Sequence, residues 1–456
     1  MKYTALTGAA LIGAVAAKDT QTFAVLRFNG DPIFNGRVDP IVNPGVASPH
    51  EHSVFGGSNF GLHATGETMV KSKCSSAVVK GDNSAYWMPR LYFHDKADDS
   101  FEAVPVSYAN VYYFFDPTDD EIKAFPTGLQ ILAGPDASTR HAPAVGARTN
   151  LDPNNGDVNP VFWTCARTSY ADPSWPADSD GTTAGIGCPG LPGQGVGFPL
   201  KKCDAFASPL RADVNFPSCY DPSKGLTNYK ENMVYPSAKG TSGGKLNCPE
   251  GFVHVPRMLF EIFWDTQKFD SRWTPDGKTQ PFVLSNGDVT GYSLHADFLA
   301  GWDEQVLQKI IDTCDVKFAN MDTCPGIESN KASCSCDGDV GDYATESTTA
   351  KALPGTCPLS GFQYGAAPVA SAVSAVEKAA SNHEQEASSP EEDASPAAES
   401  PVVEAAPALS SAPAEAAPVC ATRTKTVVET KTVWEGASET AAAAKRHLHR
   451  HVARHH

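Results

Sequence analysis

The sequence predicts a mainly β fold: one large β-sandwich or jelly-roll-like domain with long disulfide-pinned loops, a closing helix and a disordered C-terminal tail. Three observations carry this. From Phe23 to about Cys314, short β-branched and aromatic runs alternate with Gly, Pro, Asn and Asp, the punctuation of strands joined by turns. Inside the runs the apolar period is two. In Arg257-Met258-Leu259-Phe260-Glu261-Ile262-Phe263-Trp264-Asp265, for example, Met258, Phe260, Ile262 and Trp264 share one face and Arg257, Glu261 and Asp265 the other. The chain also holds 12 cysteines, an even number that suits an oxidising compartment.

The elements follow in chain order. Met1-Lys2-Tyr3 and the apolar stretch Ala5 to Ala17, ending in small residues, read as a secretory signal over residues 1–17. About 12 apolar positions fall short of the roughly 20 that cross a hydrocarbon core, so a secreted, extracellular chain with no transmembrane anchor is expected. Residues 18–314 form the β-rich domain. Within it, 152–197 reads as a nearly strandless excursion pinned by Cys165 and Cys188, and Gly193-Gln194-Gly195-Val196-Gly197 as a flexible loop. After Asp303 as N-cap, Val306, Leu307, Ile310 and Ile311 recur at the spacing of a buried helical stripe.

A small Cys-rich extension, 315–365, is too polar to hold itself without disulfides. Six cysteines fall between Cys74 and Cys248 and six between Cys314 and Cys420. If each group closes on itself, 15 pairings per group remain open. Residues 366–419 are an Ala/Pro/Ser/Glu linker that buries too little surface to order itself, and 420–456 form a Thr-rich, then basic and His-rich tail. The net charge of −17 argues against nucleic acid as a partner, because phosphate binding needs a basic face.

Candidate chemistry concentrates in three stretches. In Ser48-Pro49-His50-Glu51-His52, extended backbone puts both histidines on one face about 7 Å apart, a spacing that suits two imidazoles converging on a metal or on one substrate atom. Ser293-Leu294-His295-Ala296-Asp297 carries a His-x-Asp pair on one face. Glu261 and Asp265 stand about 13 Å apart along their strand, beyond the roughly 5–9.5 Å of a glycosidase pair, so either needs a partner from another strand. The candidate catalytic set is therefore His50, His52, His295 and Asp297, with Glu261 or Asp265 as acid, base or orienting group. His50, His52, His295 and Asp297 are also the candidate ligands for zinc or a similar divalent ion. The competing expectation is a non-catalytic glycan-binding or cell-wall structural protein, with Trp87, Tyr92, Trp264 or Trp302 stacking on sugars.

The stretches DPIVNPGVASPHEHSVFGGSNF, SAYWMPRLYF, FPSCYD, PRMLFEIFWDT and QPFVLSNGDVTGYSLHADFLAGW, in that order, resemble a secreted fungal domain-of-unknown-function family, the one numbered nineteen-ninety-six. The resemblance spans about Phe23 to Ile311. It implies a setting at cell walls or extracellular polysaccharide, because members are often joined to WSC carbohydrate-binding modules, and it supplies no catalytic residues. One departure is visible. Relatives often have histidines just before a Val-x-Tyr-Pro-like segment, where this chain reads NYKENMVYP from Asn228 to Pro236.

Overall fold

Alternation along Arg257–Trp264 builds the principal sheet. Met258, Phe260, Ile262 and Trp264 are buried on its inner face, and the strand pairs on both sides, with Val106–Phe115 and with Leu210–Asn215. The computed structural model describes residues 18–355 except positions 145, 177, 183, 207, 208, 242, 346 and 347. The expected signal, linker and tail lie outside the described residues. Antiparallel pairing extends the principal sheet to seven strands in the order Thr22–Arg27, Val106–Phe115, Arg257–Trp264, Leu210–Asn215, Val161–Cys165, Leu191–Val196, Ile186–Cys188.

Its inner face packs on a five-stranded sheet ordered Phe34–Gly36, His52–Gly56, Ala85–Pro89, Ala296–Leu299, Gln130–Ala133. Phe260 meets Phe55 at 6.3 Å and Tyr86 at 6.1 Å between ring centroids. Leu91, Phe93, Phe282 and Leu284, from a four-stranded sheet, join the same core. This is the two-layer β-sandwich that the period-two pattern predicts, and each large side chain in it contributes on the order of 2–3 kcal/mol by burial. A polar thread crosses the core. Trp302 Nε1 donates to Tyr113 Oη at 2.9 Å, the Tyr113 and Tyr86 hydroxyls lie 2.6 Å apart, and Tyr86 donates to Asp82 at 2.8 Å.

The helix forms where expected, at Glu304–Thr313. Asp303 caps the amides of Gln305 and Val306, and Leu307, Ile310 and Ile311 are buried. Among the described residues no helix is long and apolar enough to cross a membrane.

Three expectations change. Residues 152–197 are not strandless: Val161–Cys165, Ile186–Cys188 and Leu191–Val196 form one side of the principal sheet. Glycines hide the period of the last of these. A Cβ on Gly195 would sit 2.6 Å from the Trp175 ring, so the indole lies on a strand stripped of side chains. Cys188 forms no disulfide among the described residues, where Cys165 bonds to Cys203 instead. Nor does each cysteine group close on itself. Cys219–Cys248 and Cys314–Cys324 are internal to their groups, but Cys74–Cys334 joins the two. Finally, Trp87, Tyr92, Trp264 and Trp302 are each at most 1% exposed, so none can stack on a sugar.

Cys74–Cys334 anchors a cover. The chain from 334 to 345 lies over the outer face of the five-stranded sheet, where Cys334, Cys336, Val340 and Tyr343 pack with Phe34, Phe60 and Trp87. Backbone bonds from Cys336 to Ile33, from Leu62 to Asp339 and from Arg37 to Tyr343 hold it there. Replacing Cys74 and Cys334 together by alanine is expected to cost about 2–4 kcal/mol in denaturant unfolding and to speed proteolysis at Lys331. An unchanged midpoint would show that the packing suffices without the crosslink.

Candidate functional site

Glu51 sets the site from behind. Its neighbours His50 and His52 point to one side of the extended chain, and Glu51 points to the other. There the Tyr92 and Thr345 hydroxyls donate to its carboxylate, and Arg90 approaches at 3.5 Å. With Glu51 so held, the two imidazoles are aimed onto the covered outer face of the five-stranded sheet, their ring centroids 4.4 Å apart. His295 arrives just before the strand Ala296–Leu299, and its Nε2 lies 3.2 Å from His50 Nε2.

The hydrogen bonds assign the protons. The Ser293 carbonyl can only accept, so His295 Nδ1, at 2.8 Å, donates to it. His52 Nδ1 likewise donates to the Val38 carbonyl at 3.2 Å. Both rings therefore present an unprotonated Nε2, and His52 Nε2 is buried with no protein partner. One donor nitrogen from each of His50, His52 and His295 lies within 4.8 Å of the others. The 3.2 Å gap between His50 and His295 matches the separation of about 3.3 Å that two nitrogens show on one tetrahedral zinc. A backbone carbonyl behind each of two imidazoles is also the usual outer support of a metal-ligating histidine.

Burial decides the charge states. It is the largest cause that lowers all three histidines. His50 is pushed further down by the neighbouring imidazoles and by the Arg140 guanidinium, and His52 is brought to about 3. The same burial raises the carboxyls. Asp297 is held well above the ordinary range, with Asp39 adding repulsion, and neither of its oxygens has a protein partner. Asp39 is raised to about 6 by burial, against the amides of Val42 and Ile41 that bind its carboxylate form. The site thus combines neutral imidazoles with Asp297, a carboxyl that burial holds in its protonated form.

The other expected residues fall as follows. Asp297 shares the face of His295 but sits one strand step on, beside Trp87 and Leu132, outside the three-nitrogen set. Glu261 and Asp265 do not come to this site. Glu261 lies on the outer face of the seven-stranded sheet, on the far side of the sandwich, opposite Asp213. Arg211 serves both carboxyls there, 2.6 Å from Asp213 and 3.3 Å from Glu261. Asp265 ends its strand and approaches Lys268 at 3.5 Å. The sequence could not reveal this, because period two gives the face of a residue but not the layer it belongs to. Asp39 and Tyr229 were missed; Tyr229 packs against the cluster of Val38, Trp87 and Leu299 on the covered face, yet no local pattern marks either residue. A second cluster, Asp120, Cys248 and His254, offers no thiolate, since Cys248 is bonded to Cys219.

The fold and site together define a disulfide-bonded β-sandwich protein with a buried three-histidine centre. The chain belongs to the family described as domain of unknown function (DUF1996), whose model matches residues 39–302. No curated protein and no solved structure matches it.

A histidine whose pKa folding lowers takes up its proton more readily when unfolded. Its contribution to stability is therefore full above about pH 6.5 and is lost as pH falls toward 3. Metal-free protein should accordingly melt at lower temperature as pH drops from 7 to 5, and His52→Gln should flatten that slope. Parallel curves for the two proteins would contradict neutral burial of His52.

Proposed function

We propose that the chain is a secreted enzyme that cleaves an extracellular polysaccharide, by hydrolysis or elimination, with a divalent ion of the zinc class held by His50, His52 and His295. One observation carries this reading: two imidazoles are locked by backbone carbonyls into the tautomer that presents Nε2, and their Nε2 atoms converge with a third imidazole. A bound ion of this class supplies Lewis acidity at a substrate or water oxygen. The residues do the rest. Lowered histidine pKa values leave the ligand lone pairs free through the neutral range. Asp297, kept protonated by burial, would give a proton to a leaving oxygen. Four disulfides among the described residues suit the oxidising setting in which a wall or matrix polymer is met.

Elemental analysis of the full-length secreted protein, wild type beside His50→Ala and His295→Ala, tests the reading. The expected result is one ion fewer per chain in each variant, with folding intact; the difference cancels any ion taken up by the histidine-rich tail. Loss of fragment release from wall polymers by at least 100-fold should accompany it. Equal metal content in all three proteins would remove the metal, and unchanged cleavage would remove the site.

A further inference from the structure

A pocket of about 410 Å³ opens beside the histidine site, within the range of roughly 300–1,000 Å³ typical of small-ligand pockets. Three of its lining residues tie it to that site. Leu132 is the strand partner of Asp297. Tyr229 packs against the hydrophobic cluster of the same sheet face, which includes Val38, Trp87 and Leu299. Gly134, at φ +106°, lies so close to His295 that a Cβ would stand 2.8 Å from its Cα, so only glycine lets the pocket wall approach the histidine.

The lining chemistry has a sign. No Asp or Glu lines the pocket, although the chain carries a net charge of −17. Lys230 does line it. Its ammonium lies 5.8 Å from the Tyr229 ring and forms no ion pair with the described residues. Thr139 and His141 line the wall on either side of Arg140, whose guanidinium donates to the carbonyls of Ala137, Thr139 and Asn286. Phe162, Tyr229 and Tyr292 supply ring surface. A cationic group, an unpaired phenol and flat apolar faces, with no repelling carboxylate, are what a ring bearing one carboxylate requires.

We propose that this pocket is the subsite for a uronate residue of the polymer, with Lys230 pairing to its carboxylate and Tyr229 donating to a ring hydroxyl. This names the substrate class of the site proposed above and rests on that reading. An acidic polymer approaching so acidic a chain needs a local cation to overcome the general repulsion, and Lys230 provides it.

The test is calorimetric binding to the full-length protein of tetrasaccharides of galacturonan, glucuronan and mannuronan, each beside its carboxyl-reduced form. At least one uronate should bind tenfold or more tightly than its reduced partner, with affinity falling as salt rises. Lys230→Gln should abolish that preference with the melting temperature unchanged, and Tyr229→Phe should weaken both forms together. Equal affinity for both forms, a preference that survives in Lys230→Gln, or no binding of any of the three would overturn the subsite. Metal and cleavage present without a uronate preference would reject the subsite alone. A uronate preference without metal or cleavage would reject the catalytic reading alone.

Discussion

Covering the outer face of the five-stranded sheet is the constraint from which the rest follows. A sheet face normally open to water is here closed by the chain around Val38 to His50 and by the segment from Cys334 to Tyr343. Polar groups on that face lose their solvation and have to be neutral or be satisfied by neighbours. His50, His52 and His295 lose their protons, Asp297 keeps its own, and Asp39 is pushed up to about 6. The Cys74–Cys334 bond ties down one end of the cover, a crosslink between residues 260 apart in sequence.

The two outer faces of the sandwich handle buried charge in different ways. On the seven-stranded sheet, Asp213 and Glu261 share the Arg211 guanidinium, which offsets part of the burial that pushes both carboxyls up. On the five-stranded sheet no cation reaches Asp297, whose oxygens have no protein partner, and a proton takes its place. The first arrangement pairs its charges within the protein. The second leaves donor and acceptor atoms facing a site, which is how groups stand when they act on something other than the protein.

Precision in the histidine centre is built by carbonyls and by Glu51 more than by the imidazoles themselves. Val38 and Ser293 fix two tautomers, and the Glu51 carboxylate, anchored by Tyr92 and Thr345, fixes the direction of the His-x-His segment. Groups held this way need no reorganisation to receive a ligand.

By itself the sequence determined what depends on short-range periodicity and local chemistry. That includes the mainly β class, the helix at Glu304–Thr313 with its Asp303 cap, the shared face of His50 and His52, and the exclusion of Glu261 with Asp265 as a pair, since strand rise alone sets their separation. Family membership was also readable, from ordered stretches such as SPHEHSVFGG and YSLHADFLAGW. Only the tertiary structure decided that His295 meets His50 across 245 residues, that Glu261 lies on the far side of the sandwich, that Cys74 pairs with Cys334, and that Gly134 and Tyr229 border the site. Those facts come from which strands pair and which layer covers which. Strand pairing and layer packing are set by the whole core's burial, and no local window of sequence contains them.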